Sequence, residues 1–454
     1  MPVEANAAQH PPAARVGTRR LIYAVIVLFG INTMNFYDRQ VLGVVNEPVR
    51  KLWHLSDTEL GLLGTAFVLL YAVVGLPLGW WADVGRRKVI LAGGVLLWSA
   101  MTALSGLAWN FGSLFAFRLG VGVGEASCAP AANSLLGDLF PRQQRARAIS
   151  LFMLGLPVGL GLSFIVSGEL AQRLGWRAAL FVAGMPGLLL GLLALALPEP
   201  PRGAAEAYAV GAARREGSPL RAVLRIPTMW WIILSGALHN FNMYAFGHFL
   251  VSLLERYHGQ TTREAGWIAG VVYGCFGGLG ILWGGWLCDW AVRRRVSGRL
   301  EVATLALLVA TPCLFLALRQ PPGYVWAFAA WLLPACTLLY FYYAGVYATI
   351  QDIVEPSLRG TAMALYFFAM YLLGAALGPY ATGRISDYFA GRAAETLGLP
   401  RTDPLVKAIG LHDAMHVVPL LSAVLVVVMF AASRTVQADH EKLQRWIRSH
   451  HPDG

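Results

Sequence analysis

The chain has 454 residues, of which 57% are hydrophobic and 13% charged, with a formal net charge of +11. A soluble chain carries roughly 45–50% apolar and about 25% charged residues, and at this length it would wrap two or three domains in a charged shell. Thirty-six basic and 25 acidic residues cannot furnish that shell, so a soluble enzyme is excluded and the surplus apolar surface must face something other than water.

A basic balance also suits a nucleic-acid binder. Here, however, Lys and Arg fall in short clusters between long uncharged apolar runs, as in membrane loops, and no nucleic-acid partner is expected. Cys128, Cys275, Cys288, Cys313 and Cys336 sit inside apolar stretches without paired or metal-ligand spacing. They read as packing thiols, so neither a disulfide framework nor a metal site is expected.

A bilayer core about 30 Å thick takes roughly 20 mostly apolar residues per helix. In chain order the candidates are 21–45, 58–82, 88–109, 111–137, 146–168, 176–197, 228–254, 263–288, 300–318, 324–350, 361–383 and 414–433. Ser56-Asp57, Pro198-Glu199-Pro200-Pro201 and Pro321-Pro322-Gly323 punctuate them. The first twenty residues are polar and Pro/Ala-rich, and the apolar run after them is too long for a cleaved signal. The expected organisation is a tail at 1–20, a six-helix bundle at 21–197, a linker at 198–227, a second six-helix bundle at 228–433 and a tail at 434–454. The fold class is therefore all-α integral membrane, with twelve spans in two pseudo-symmetric bundles. Residues 437–450 read either as a surface helix on the inner leaflet or as a solvated tail.

Loop charge sets the expected orientation. The termini and even-numbered loops hold 23 of the 36 basic residues and the other face 11, with Arg39 and Arg118 left inside spans. Both termini are expected in the cytoplasm, in a bacterial inner membrane.

The two halves repeat their punctuation. Gly79-Trp80-Trp81-Ala82-Asp83-Val84-Gly85-Arg86-Arg87-Lys88 follows the second span. Gly285-Trp286-Leu287-Cys288-Asp289-Trp290 follows the eighth at an offset of 206. Asp138 and Arg145 after the fourth span recur as Asp352 and Arg359 after the tenth. Parallel six-helix repeats place a substrate site between them near the midplane. Over essentially its whole length the chain resembles the major facilitator superfamily. That family's loop motif matches at Gly79, Ala82, Asp83, Arg87 and Lys88 and departs at Trp81, Val84 and Arg86. Asn35-Phe36-Tyr37-Asp38-Arg39 and Gly122-Val123-Gly124-Glu125-Ala126 narrow the likeness to the spinster-like group. The resemblance implies export of lysophospholipid or sphingolipid-type solutes, or proton-coupled transport. Asp83, Arg87, Asp289, Arg145 and Arg359 are the expected gating residues, with Asp83 pairing with nearby arginines at a helix end.

An ionisable group at mid-bilayer costs roughly 2.5–3.5 kcal/mol on insertion scales, so each needs a partner or a role. Asp38 lies about 26 Å along the first span. Arg118 lies at a matching depth in the fourth, and Glu125 is two turns deeper on the same face. An Asp38–Arg118 pair is expected, with Asp38 and Glu125 as proton-coupling groups and Arg118 or Arg39 as the ligand for an anionic headgroup. Static helix-tying salt bridges are the competing reading. In the second half, His239, Asn240, Asn242, Tyr244, Tyr342, Tyr343, Tyr347, Tyr366 and Tyr371 offer an amphipathic wall or ordinary interhelical packing. Of these, His239, Asn240 and Tyr343 are the expected substrate contacts. Gly120-x-Gly122-x-Gly124 has no strand before it, so no dinucleotide site is expected. With no Walker motif ATP is not the energy source, and no cofactor is expected.

The sequence thus reads as a monomeric, non-enzymatic secondary transporter. Its partners would be an anionic amphipath such as a lysophospholipid, protons and membrane lipids. Alternatives are a carrier of small organic anions or drugs, and an uncoupled scramblase or receptor.

Overall fold

The computed structural model describes residues 17–140, 142–201, 219–355 and 358–450. Most of the expected linker 198–227 and of the tail 1–20 lies outside these. Where lipid replaces water, each backbone N–H and C=O must be satisfied within its own segment, which leaves helices as the economical solution for apolar runs. Among the described residues there is no strand. The first half comprises α1 (Thr18–Trp53), α2 (Asp57–Val84), α3 (Arg87–Ser105), α4 (Phe111–Glu125), α5 (Cys128–Leu139), α6 (Arg142–Met153), α7 (Gly155–Leu174) and α8 (Trp176–Ala194). After the short α9 (Pro219–Leu224) come α10 (Pro227–Arg256), α11 (Thr262–Gly270), α12 (Gly277–Val292) and α13 (Gly298–Leu318). The chain continues through α14 (Val325–Leu339), α15 (Phe341–Ile353), α16 (Arg359–Ala369), α17 (Leu377–Leu397), α18 (Pro404–Met415) and α19 (Val417–His450). Two π-helical turns, Val271–Phe276 and Met370–Ala375, join α11 to α12 and α16 to α17.

Among the described residues, ten segments are long and apolar enough to cross a membrane. The fourth and seventh expected spans are helical but fall outside that set. The fourth breaks between Glu125 and Cys128 into α4 and α5. The seventh, α10, carries His239, Asn240, Asn242 and His248, which dilute its apolar run. The tail expected from residue 434 continues α19 without interruption to His450.

Helix starts on the face away from the chain ends are written locally. Ser56 with Glu59, Asn110 with Ser113, and Thr261 with Glu264 each form a reciprocal capping box. Connections on that same face turn on left-handed residues: His54, Gly175, Gly259, Gly323 and Gly398.

Each half packs on itself, α1 against α7 and α3 against α8 in the first, α10 and α13 against α19 in the second. Between the halves, α2 meets α17, α1 meets α10, and α7 meets α11 and the first π turn. The α2–α17 seam is backbone against backbone. A Cβ on Gly383 would stand 2.1 Å from the Asp57 carbonyl oxygen, and one on Gly61 2.3 Å from that of Pro379. Substituting Gly383→Ala should therefore cost this closed seam about 1–3 kcal/mol by overpacking. Spin labels at Lys51 and Glu395 should report a longer distance in the variant, and an unchanged distribution would show that the seam tolerates the methyl.

Candidate transport site

Asn35, Asp38 and Arg39 share one side of α1, at the three- and four-residue spacings that bring helical neighbours together. Close packing of α4 brings Glu125 to them. A Cβ on Gly122 would lie 2.3 Å from the Phe67 carbonyl oxygen, and one on Gly124 2.6 Å from the Trp98 nitrogen. Larger residues at either position would push α4 off α2 and α3.

The Arg39 Nε donates to Glu125 Oε2 at 3.0 Å, and Asn35 Nδ2 donates to the same oxygen at 2.9 Å. Arg39 Nη1 reaches across to the second half, donating to the hydroxyls of Tyr244 at 3.2 Å and Tyr371 at 3.3 Å. The rings of Tyr71 and Phe36 stand 4.7 and 4.9 Å from its guanidinium carbon, within cation–π range. Both side chains are enclosed, Arg39 at 4% exposure and Glu125 at 0%. Tyr371 belongs to the π turn Met370–Ala375. Such turns shift side-chain register within a helix and frequently mark functional positions.

The expected Asp38–Arg118 side-chain pair is not formed. Arg118 Nη1 instead donates to the backbone carbonyl of Asp38 at 3.2 Å, beneath the Phe67 ring. Asp38 is fully buried beside Trp98 and Thr102 of α3, and neither of its carboxylate oxygens has a hydrogen-bond partner. Successive residues of a helix point about 100° apart. Asp38 and Arg39 therefore share a depth while facing different neighbours, and it is Arg39 that carries the ion pair.

The remaining expected contacts lie elsewhere. His239 stacks on Tyr342 at 4.0 Å between ring centroids and meets Tyr343 edge-on at 5.0 Å. Both its ring nitrogens are without partners. Ser235, Tyr342 and Tyr366 form a buried hydroxyl chain beside it. Asn240 donates to the Gly236 carbonyl one turn back in its own helix.

On the face bearing the chain ends, Arg87 at the start of α3 pairs with Asp138 at the end of α5. Arg299 at the start of α13 pairs with Asp352 at the end of α15. These are equivalent contacts of the two halves, each within its own half. Asp289 lies 3.4 Å from Arg299 and is largely exposed. Arg145 lies in α6 and Arg359 opens α16, while Asp83 is in the last turn of α2 and its side chain is outside the described residues. Arg299 escaped the sequence comparison because the second loop is longer, which moves it past the residues that align with Arg87.

Among the described residues, the ion pairs that join the halves lie on the opposite face. Arg256 donates to both oxygens of Asp57 at 2.8 and 2.9 Å, and to Glu47 at 2.6 Å. Ser386 donates to Asp57 at 2.6 Å. Asp387 accepts from the backbone of Asp57 and Thr58 and pairs with Lys407 at 3.1 Å. Arg263 reaches Glu169 at 2.8 Å. His248 takes part as well, its Nε2 lying 2.9 Å from the Leu60 carbonyl oxygen. Sequence reading passed over this network, although charges at span ends are themselves a signal in so apolar a chain. The halves are thus locked together away from the chain ends.

A family model described as Major Facilitator Superfamily matches residues 28–379. The chain is 31% identical over 376 residues to an MFS-type efflux pump of Mycolicibacterium smegmatis, covering 83% of this chain and 86% of that one. It is 32% identical over 393 residues to protein spinster homolog 1 of Mus musculus, covering 80% and 72%. It also resembles the crystal structure of a bacterial homolog to the human lysosomal transporter Spinster in an inward-facing, unoccupied conformation. That likeness has a TM-score of 0.85 and 29% identity, over 93% of this chain and 99% of the other.

Replacing Arg256 by glutamine leaves the buried Asp57 without its ion-pair partner and Glu47 with Arg50 alone, at a cost of about 3–5 kcal/mol. The purified variant should melt several degrees lower. Adding Glu47→Gln and Asp57→Asn should recover most of the loss. A melting temperature unmoved by Arg256→Gln would remove the clamp from any role in stability.

Proposed function

The chain belongs to the major facilitator superfamily, in its spinster-like group, and on that footing we propose that it is a proton-coupled, alternating-access transporter of an amphipathic anion such as a lysophospholipid. The observation that carries this reading is Arg39. It is a buried guanidinium between the halves, held from one side by Glu125 and from the other by the hydroxyls of Tyr244 and Tyr371. A guanidinium fork suits phosphate or carboxylate bidentately, and an arriving headgroup would compete with Glu125 for it. A proton on Glu125 weakens its hold on Arg39. Asp38 can take a proton without breaking an ion pair, since Arg118 meets only its backbone carbonyl. Arg118, at the Asp38 carbonyl, is the second cation for the headgroup. His239 and Tyr343 would form an aromatic wall for the apolar part, with Asn240 as a polar contact beside it.

In this reading the clamp around Arg256 seals the outer face and the state is inward-facing. Arg87, Asp83, Arg145, Asp289 and Arg359 belong to the gate on the other side, and both termini are cytoplasmic, as loop charge requires. The protein works as a monomer in a bacterial inner membrane. A second reading, efflux of drugs or small organic anions, draws support from the mycobacterial relative named as an efflux pump.

In proteoliposomes, labelled lysophospholipid flux should rise with an imposed pH gradient. Asp38→Asn and Glu125→Gln should each abolish that stimulation, and Arg39→Lys should cut flux at least about tenfold by losing the planar fork. Flux indifferent to the gradient would favour an uncoupled scramblase. Uptake of organic anions without lysophospholipid would favour the second reading.

A further inference from the structure

We propose that His412, Asp413 and His416, where α18 passes into α19, form a binding site for a divalent transition metal such as Zn²⁺. One ligand atom from each lies within 4.8 Å of the other two. The two histidines are four residues apart, one above the other on a helix face.

The hydrogen bonds fix which nitrogens are free. His412 Nε2 lies 2.7 Å from the Leu318 carbonyl oxygen. A carbonyl only accepts, so Nε2 carries the hydrogen and, in the neutral ring, Nδ1 carries the lone pair. That lone pair faces Asp413 Oδ1 at 3.1 Å. An ionised carboxylate also only accepts, so two acceptors stand at hydrogen-bond distance and a cation is needed between them. A proton on Nδ1 would serve, and so would a metal ion. His416 favours the metal. Its Nδ1 lies 3.1 Å from the His412 carbonyl oxygen, so it too donates to backbone and its Nε2 keeps a lone pair. Both rings thus have the backbone-anchored N–H that orients histidine ligands in metal sites. Two imidazoles and a carboxylate suit Zn²⁺, Ni²⁺ or Cu²⁺, whereas Mg²⁺ prefers oxygen ligands.

The surroundings hold the site in place without closing it. The Tyr257 ring stacks on His412 at 4.0 Å and 6°, and Phe315 meets His416 edge-on at 6.2 Å. Asp413 keeps 44% of its side chain exposed, which leaves a path for entry and a position for water. Zn–N bonds of about 2.0–2.1 Å place neighbouring ligand atoms roughly 3.3 Å apart, so small side-chain rotations would close the cluster on an ion. The ion would tie the start of the last span to the end of α13 through Leu318. The site is separate from Arg39 and does not depend on the transport reading.

Tag-free protein in detergent, titrated with Zn²⁺ by calorimetry, should bind one ion reversibly with EDTA and show no heat with Mg²⁺. His416→Gln and Asp413→Asn should each weaken that binding at least about tenfold, as loss of a ligand requires when even second-shell losses cost 10–100-fold. Their metal-free melting temperatures should stay at the wild-type value. The partly exposed Asp413 keeps the test open should the histidine variant fold poorly. Absence of Zn²⁺ binding, or binding unchanged in both variants, would overturn the site.

Discussion

A guanidinium buried between two bundles in a lipid-embedded protein has to be neutralised and hydrogen-bonded from both sides, or the bundles cannot meet. Arg39 meets this condition with Glu125 and two tyrosine hydroxyls, and much of the local architecture serves it. Gly122 and Gly124 let α4 approach closely enough to deliver the carboxylate. The π turn in the eleventh span presents Tyr371 from the other half. The two spans least like simple apolar rods, the broken fourth and the polar seventh, supply Glu125 and Tyr244. Departures from ideal spans therefore gather where the charge is.

Two kinds of electrostatic contact divide the labour. On the face of the chain ends, Arg87–Asp138 and Arg299–Asp352 stay within their own halves and stiffen each as a body. On the other face, Arg256 crosses between halves to a pair of carboxylates. A rocking transition needs this division, since contacts inside a half survive the motion while contacts across it must be exchanged. Buried pairs contribute little net stability relative to apolar packing, yet their removal one partner at a time is costly. Such pairs suit a switch between two discrete arrangements.

Much of the fold was legible because a bilayer imposes a length and an apolarity that any twenty-residue window reveals. The repeat was legible because the loops carry the same Gly and Asp punctuation. Of the candidate site residues, Asp38, Arg39, Arg118 and Glu125 do lie together, whereas His239, Asn240 and Tyr343 make separate contacts. The pairing among the first four was not legible, for a geometric reason. Counting residues along a helix gives depth, and Asp38 and Arg39 have nearly the same depth. What separates them is rotation about the helix axis, which depends on how α1 leans against α3, α4 and α10. Arg299 was missed because a fixed offset assumes loops of equal length. The Glu47–Asp57–Arg256 clamp joins residues nearly 200 positions apart, a distance over which local pattern carries no information.

The left-handed turns at His54, Gly175, Gly259, Gly323 and Gly398 crowd onto one face of the molecule. Each fixes the backbone in a conformation that few residues tolerate, so the hairpins there have little freedom of length. Diversification is thereby channelled: an added epitope, fluorescent domain or lineage-specific insert is more easily accommodated on the side that carries the chain ends and the long connection between the halves. The two surfaces of one bundle thus differ in what they can accept, before any partner or membrane is considered.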